Sequence, residues 1–367
     1  MPESYMPAHQ YTPRIKLIMR GLVAITLLGW LLSGQRCFQV WELITHLEPM
    51  PFATACILYG LGQVLSSWRW QWLARRVRIQ ARLSYLVRLY FIGMFFNLFL
   101  PTSMGGDLVR SWILARQTRN NKLAPALLSV VSERLNGLVA LLALGCVASL
   151  AVVGQLPTWQ IGLMWGLAMG GITMLVTLPV VGQRFAVGAR LAQALSITSK
   201  HRRVWWRAFF VSLAVQLAAV VQVWLVARAL HLLIPLTVLA VVVPIVTVSS
   251  LLPVTIAGLG LREGTLLLLL TPLGVSAAEA VSLGLAWLAM QGVTSLLGLP
   301  LWLGLSEARV QTRYSFASSD EQLRAHGARS ASESGIHLDT PTGGETRHGR
   351  LGGDPDQGRE GQSAVAT

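Results

Sequence analysis

The sequence predicts an all-α polytopic membrane protein. Three observations carry that reading: 53% of the 367 residues are hydrophobic, only 13% are charged, and apolar runs of helical length recur along most of the chain. A helix needs about 20 apolar residues to cross roughly 30 Å of hydrocarbon, and several of these runs approach that length. The elements follow in order at about 15–34, 51–70, 84–100, 107–117, 123–154, 157–182, 204–231, 236–252, 261–275 and 280–305.

Six of these read as ordinary spans. The other four form two pairs, 84–100 with 107–117 and 236–252 with 261–275, each joined by a Pro/Gly-rich connector. At ~1.5 Å rise per residue the 107–117 arm is too short to cross alone, so each pair is expected as a broken or re-entrant helical hairpin. Arginines at 69, 75, 76, 78 and 82 precede the first pair, and Arg116, Arg119 and Lys122 follow it. The positive-inside rule then puts both ends of that pair in the cytoplasm. Whether it dips and returns or crosses twice, the parity is the same. The second pair lacks such flanks and is expected to open to the other face.

Followed through, this topology gives cytoplasmic N and C termini and an inverted repeat, with halves at about 15–155 and 156–305. Pro101 and Pro253, Gly106 and Gly258, and Arg110 and Arg262 are each 152 positions apart. Inverted repeats with broken helices near the midplane are a recurrent transporter architecture. Residues 1–14 form a short cytoplasmic segment. Residues 306–367 are rich in Gly, Ser and charge, lack the apolar area that offsets ordering entropy, and are expected to be a disordered cytoplasmic tail.

The net charge of +14 follows the loops rather than a nucleic-acid face, because no basic surface is interleaved with stacking aromatics; nucleic acid is not an expected partner. Cys37, Cys56 and Cys146 are scattered, with no His at ligand spacing, so neither a metal nor any other cofactor is expected. Trp68, Trp70, Trp72, Trp205 and Trp206 stand beside arginines at span ends and read as interfacial anchors.

Function is sought in the acids. Residues 1–305 contain seven, and three lie beside an arginine within apolar sequence: Asp107 with Arg110, Glu133 with Arg134, and Glu263 with Arg262. A charge at membrane depth costs at least ~2.5 kcal/mol and marks a path for something polar. Asp107 stands at an N-cap position after Gly105 and Gly106, with Arg110 one turn later. Glu133 and Arg134 point about 100° apart on a helix and must find separate partners, tying the first hairpin to span 123–154. Arg262 and Glu263 follow Gly258 and Gly260, where free N–H groups at a broken helix start would hold an anion. The glycines at 105, 106, 258 and 260, with Pro101 and Pro253, are hinge candidates.

The stretches Asn97-Leu-Phe-Leu-Pro-Thr102-Ser-Met-Gly-Gly-Asp-Leu-Val-Arg110, Ser129-Val-Val-Ser-Glu-Arg-Leu-Asn-Gly137 and Gly258-Leu-Gly-Leu-Arg-Glu-Gly264 resemble the membrane domain of lysylphosphatidylglycerol synthases and its stand-alone relatives. The resemblance implies a flippase-like domain without the soluble aminoacyltransferase, in a bacterial cytoplasmic (inner) membrane, with a phospholipid or glycolipid as partner and a lipid-modifying enzyme as a further candidate. It adds Asn97 and Thr102 to the substrate path of Asp107, Arg110, Glu133, Arg134, Arg262 and Glu263, and it implies no enzyme activity. Two alternatives remain open: an enzyme transferring a sugar or acyl group to lipid through Glu42, His46 and Glu48, and a non-transporting assembly factor. The lipid-path reading makes one geometric demand, that Asp107/Arg110 and Arg262/Glu263 approach each other near mid-membrane.

Overall fold

The computed structural model describes residues 12–33, 36–100, 105–116, 123–181, 202–252, 254–255 and 258–304. Its elements are α1 (Thr12–Leu31), α2 (Arg36–Thr45), α3 (Pro49–Arg76), α4 (Leu83–Phe99), α5 (Gly105–Arg116), α6 (Leu123–Ala151), α7 (Thr158–Val181), α8 (Arg202–Ala229), α9 (Leu236–Leu251), α10 (Leu261–Leu270) and α11 (Ala277–Ser295). No β-strand occurs among the described residues. The segments 1–11 and 305–367, which include the tail, lie outside the described residues, as do Pro101, Thr102 and Pro253.

Four helical stretches are long and apolar enough to cross a membrane: Leu123–Ala151, Thr158–Thr177, Arg203–Ala229 and Ala277–Gly304. A fifth crossing arises if the pair Gly21–Leu31 and Arg36–Thr45, bent by 88°, acts as one. The sequence predicts one span at about 15–34; the structure has instead two helices that meet at 88°, the second at Arg36–Thr45. The six expected spans are therefore met by four or five. Helix α3 is long enough at 28 residues, but Gly60, Gly62, Gln63, Ser66 and Ser67 dilute its apolar run. It also continues past the expected end at 70 and takes Arg75 and Arg76 into its last turn.

Both expected breaks are present. Helices α4 and α5 have 17 and 12 residues; α9 and α10 have 16 and 10. The α9–α10 connector turns through Gly258 and Gly260 at φ 75° and 80°, a region that costs an L-residue with a Cβ roughly 1–2 kcal/mol. A Cβ on Gly260 would also lie 2.7 Å from Leu27 Cβ of α1. Gly106 is needed for a different reason: its Cβ would lie 1.8 Å from the carbonyl oxygen of Gly93, so α4 and α5 cross backbone to backbone. A close crossing of this kind is a packing reason for glycine at 106.

Apolar burial divides along the same lines. Leu86, Leu89, Ile92, Ile113, Leu114 and Val130 join α4 and α5 to α3 and the first turns of α6. Val242, Val246, Leu266, Leu269, Leu283 and Met290 join α9, α10 and α11 in a second core that also reaches α6 through Leu142. Partly buried Tyr59 of α3 packs against both cores. Helices α3 and α8 run antiparallel: Glu48 N–H donates to Ala229 O at one end, at 2.9 Å, while Arg75 and Arg207 share a cleft at the other.

Candidate functional site: a buried arginine–carboxylate network

The first broken pair delivers Tyr90, Asp107 and Arg110 to the start of α6, where Glu133 and Arg134 wait. Glu133 is fully buried and is held from three sides. Its Oε1 accepts from Arg69 Nη2 at 2.9 Å and from Tyr90 Oη at 2.8 Å; its Oε2 accepts from Arg110 Nη2 at 2.9 Å. Asp107 takes Arg134 in a two-point grip, Nε to Oδ2 at 2.8 Å and Nη2 to Oδ1 at 2.9 Å. Arg110 Nη2 also reaches Asp107 Oδ1 at 3.0 Å. Arg110 thus bridges both carboxylates, and its guanidinium carbon stands 4.6 Å and 4.3 Å from the ring centroids of Trp70 and Tyr90.

The divergence of Glu133 and Arg134 is as expected: one points into α3, α4 and α5, and the other grips Asp107 from the outer side. Their accessibility differs accordingly. The Glu133 side chain is 1% exposed, whereas Arg134 keeps 50% of its side chain accessible beside an Asp107 that is 11% exposed. The pair ties the first broken helix to α6, as the sequence implied.

Arg69 corrects the sequence reading, which counted it among the loop charges. It lies seven residues before the end of α3, roughly 10 Å in at 1.5 Å per residue, and is 5% exposed. Its Nη1 donates to Ser212 Oγ of α8 at 2.5 Å, and Ser212 in turn contacts Asn136 Oδ1. Trp70 is another correction: fully buried, it donates from Nε1 to Ser129 Oγ at 3.0 Å and cannot serve as an interfacial anchor. The signal for both was present in the run Ser66-Ser67-Trp68-Arg69-Trp70, where small polar residues precede a charge still inside an apolar segment. The basic cluster from 75 to 82 hid it.

Asp107 is the third residue of α5 rather than its cap, because the helix begins at Gly105. The cap is supplied by Asn97, whose Oδ1 accepts from Gly106 N–H at 2.7 Å. This gives Asn97 a structural task at the α4–α5 break. Three N–H groups at the second break are bonded within it. Glu263 Oε2 accepts from Gly260 N–H at 2.7 Å, and Arg262 and Gly264 N–H donate to Gly258 and Gly260 carbonyls at 3.0 and 2.8 Å.

At the second break Arg262 stands over Trp287 at 4.9 Å. Its Nη1 is buried without a hydrogen-bond partner, as is Glu263 Oε1. No ion pair joins Arg262 or Glu263 to the first network among the described residues. Tyr59 of α3 packs against the apolar cores on both sides. Among the described residues, no group of three or more His, Cys, Asp or Glu side chains has metal-site geometry.

A helical, multi-pass bundle holding a guanidinium-rich ion network away from its ends defines a membrane protein with a charged intramembrane site. The chain belongs to the family described as the lysylphosphatidylglycerol synthase TM region, whose model matches residues 17–298. Comparison with curated proteins gave no match. The family assignment places the chain among membrane proteins related to lipid modification or transport, and it covers both broken pairs and all three motifs.

Proposed function

We propose that the chain moves a phosphate-bearing lipid headgroup between leaflets, through a polar path between two inverted halves. The observation that carries this reading is the charge balance of the buried network. Among the described residues, Arg69, Arg110 and Arg134 pair with Asp107 and Glu133 alone, and Arg110 Nε and Nη1 and Arg262 Nη1 have no hydrogen-bond partner. A network with an excess of one positive charge and a half-accessible Arg134, plus an arginine at the second break with no ion pair among the described residues, is suited to a mobile anion.

The depths of the two sites support the shared path. Asp107 lies nine residues from the Arg116 end of α5, and Arg262 eight from the Leu270 end of α10. At 1.5 Å per residue these are about 13 and 12 Å from opposite ends, leaving the sites near the middle of a ~30 Å core. In this arrangement Arg134 and Arg262 meet the phosphate, while Arg69 and Arg110 stay committed to Glu133. The sequence spacing of 152 and the two broken pairs support the six-span inverted repeat. On the positive-inside rule, the basic end and both termini face the cytoplasm.

No ATP-binding motif is present in the sequence, so movement is passive, ion-coupled or partner-driven. The enzyme alternative draws little from the geometry: His46 Nδ1 is bonded to Glu42 O at 2.8 Å and Glu48 pairs with His231 at 3.4 Å, which does not gather Glu42, His46 and Glu48 around one point. Reconstitution into vesicles with headgroup-varied fluorescent lipids tests the proposal. The expected result is accelerated flip of at least one phosphate-bearing lipid. Folded protein that leaves every flip rate at the protein-free value would overturn it.

A further inference from the structure

Two clefts open at the end of the bundle where α3 finishes and α8 starts, and they share Arg75. One, of about 410 Å³, is lined by Trp72, Arg75, Arg76, Val204 and Arg207. The other, of about 710 Å³, adds Gln71, Gln80 and Arg82 around the same arginine. Both volumes fall in the ~300–1,000 Å³ range of ligand sites. The walls are held in place: Gln71 Nε2 donates to Ala81 O at 2.9 Å, fixing the turn after α3 against the helix.

Among the described residues, no acidic side chain pairs with these four arginines. No Asp or Glu lies between Glu48 and Asp107 or between Glu133 and Glu263, and Asp107 and Glu133 are already committed to Arg69, Arg110 and Arg134. Aromatic residues set the depth of the clefts. Trp68 and Trp72 pair at 4.6 Å on α3, and Trp205 and Trp206 at 4.9 Å on α8. Partly exposed tryptophans of this kind sit at the headgroup level of a bilayer.

We infer that the clefts meeting at Arg75 are a binding site for the phosphate headgroup of an anionic membrane lipid, which clamps the end of α3 to the start of α8. Basic pockets between membrane helices hold such headgroups. The apolar rim supplied by Leu83 and Val204 and the neighbouring tryptophans favour a lipid over a free ion. The site is separate from the buried network and does not depend on the transport reading, because its arginines share no carboxylate with it. It also gives the packing of α3 on α8 a lipid-dependent component, one to two turns from the Arg69–Ser212 bond.

The test is thermal unfolding of the full chain in neutral detergent, titrated separately with phosphatidylglycerol, phosphatidylcholine and inorganic phosphate. Phosphatidylglycerol should raise Tm in a saturable way, with phosphatidylcholine and phosphate nearly inert. In the double variant R75Q/R207Q the apparent affinity should fall at least about tenfold with the lipid-free Tm unchanged. In R228Q, at the far end of α8, it should stay at the wild-type value. Equal shifts by phosphatidylcholine, an undiminished response in R75Q/R207Q, or a phosphate effect matching the lipid would each overturn the inference.

Discussion

In the first broken pair each carboxylate of the charged group is held by at least two cationic donors, whereas in the second Glu263 serves the start of its own helix and Arg262 meets no acid. The motifs look equivalent in the sequence, an acid and an arginine beside glycines. Their structures divide the labour. The α4–α5 site is a structural knot in which Arg69, Tyr90, Arg110 and Glu133 lock α3, α4, α5 and α6 together, with Arg134 left half accessible. The α9–α10 site is a buried cation on an aromatic platform, with no ion pair among the described residues.

That contrast predicts very different costs for single substitutions. Glu133→Gln is expected to cause the largest loss: it strands Arg69 and Arg110, and breaking a buried pair by removing one partner costs about 3–5 kcal/mol. Denaturation in detergent should show it, and a loss below about 1 kcal/mol would mean the network is not the knot described. Gly106→Ala drives a methyl into Gly93 O and should cost about 1–3 kcal/mol, measurable in the same assay. Gly260→Ala, strained by its positive φ and by Leu27, should cost roughly 1–2 kcal/mol. Arg262→Met should be the mildest, within about 0.5 kcal/mol of wild type, because Arg262 has no ion pair among the described residues for the change to break. A large loss there would make the second site structural after all.

Most of the fold was legible because hydropathy and the Pro/Gly connectors are local signals. The bounds of α4, α6, α7 and α9 fall close to those expected, and both broken pairs are where the punctuation put them. The bend between α1 and α2 was hidden because Ser33-Gly34-Gln35-Arg36 reads as a loop end rather than a continuation. The three acid–arginine motifs were visible as unusual charge in apolar sequence, but their partners were not. Glu133 is held by Arg69 and Tyr90 at sequence separations of 64 and 43, and no local pattern encodes such pairings. Topological bias pulled in the wrong direction for Arg69, since an arginine near other arginines reads as a loop charge. Asn97 was singled out by its motif, and the structure supplies a local duty for it, capping α5.

The account rests on the claim that Arg262 acts on the transported anion and not on the fold. Lipid flip in vesicles carrying Arg262→Met, with Tm measured on the same preparation, tests this most directly. The account predicts that flip of a phosphate-bearing lipid accelerated by the wild type falls to the protein-free rate while Tm stays within about 1–2 °C of wild type, as a stability change near 0.5 kcal/mol implies for a chain of this size. Wild-type flip rates in that variant would contradict it.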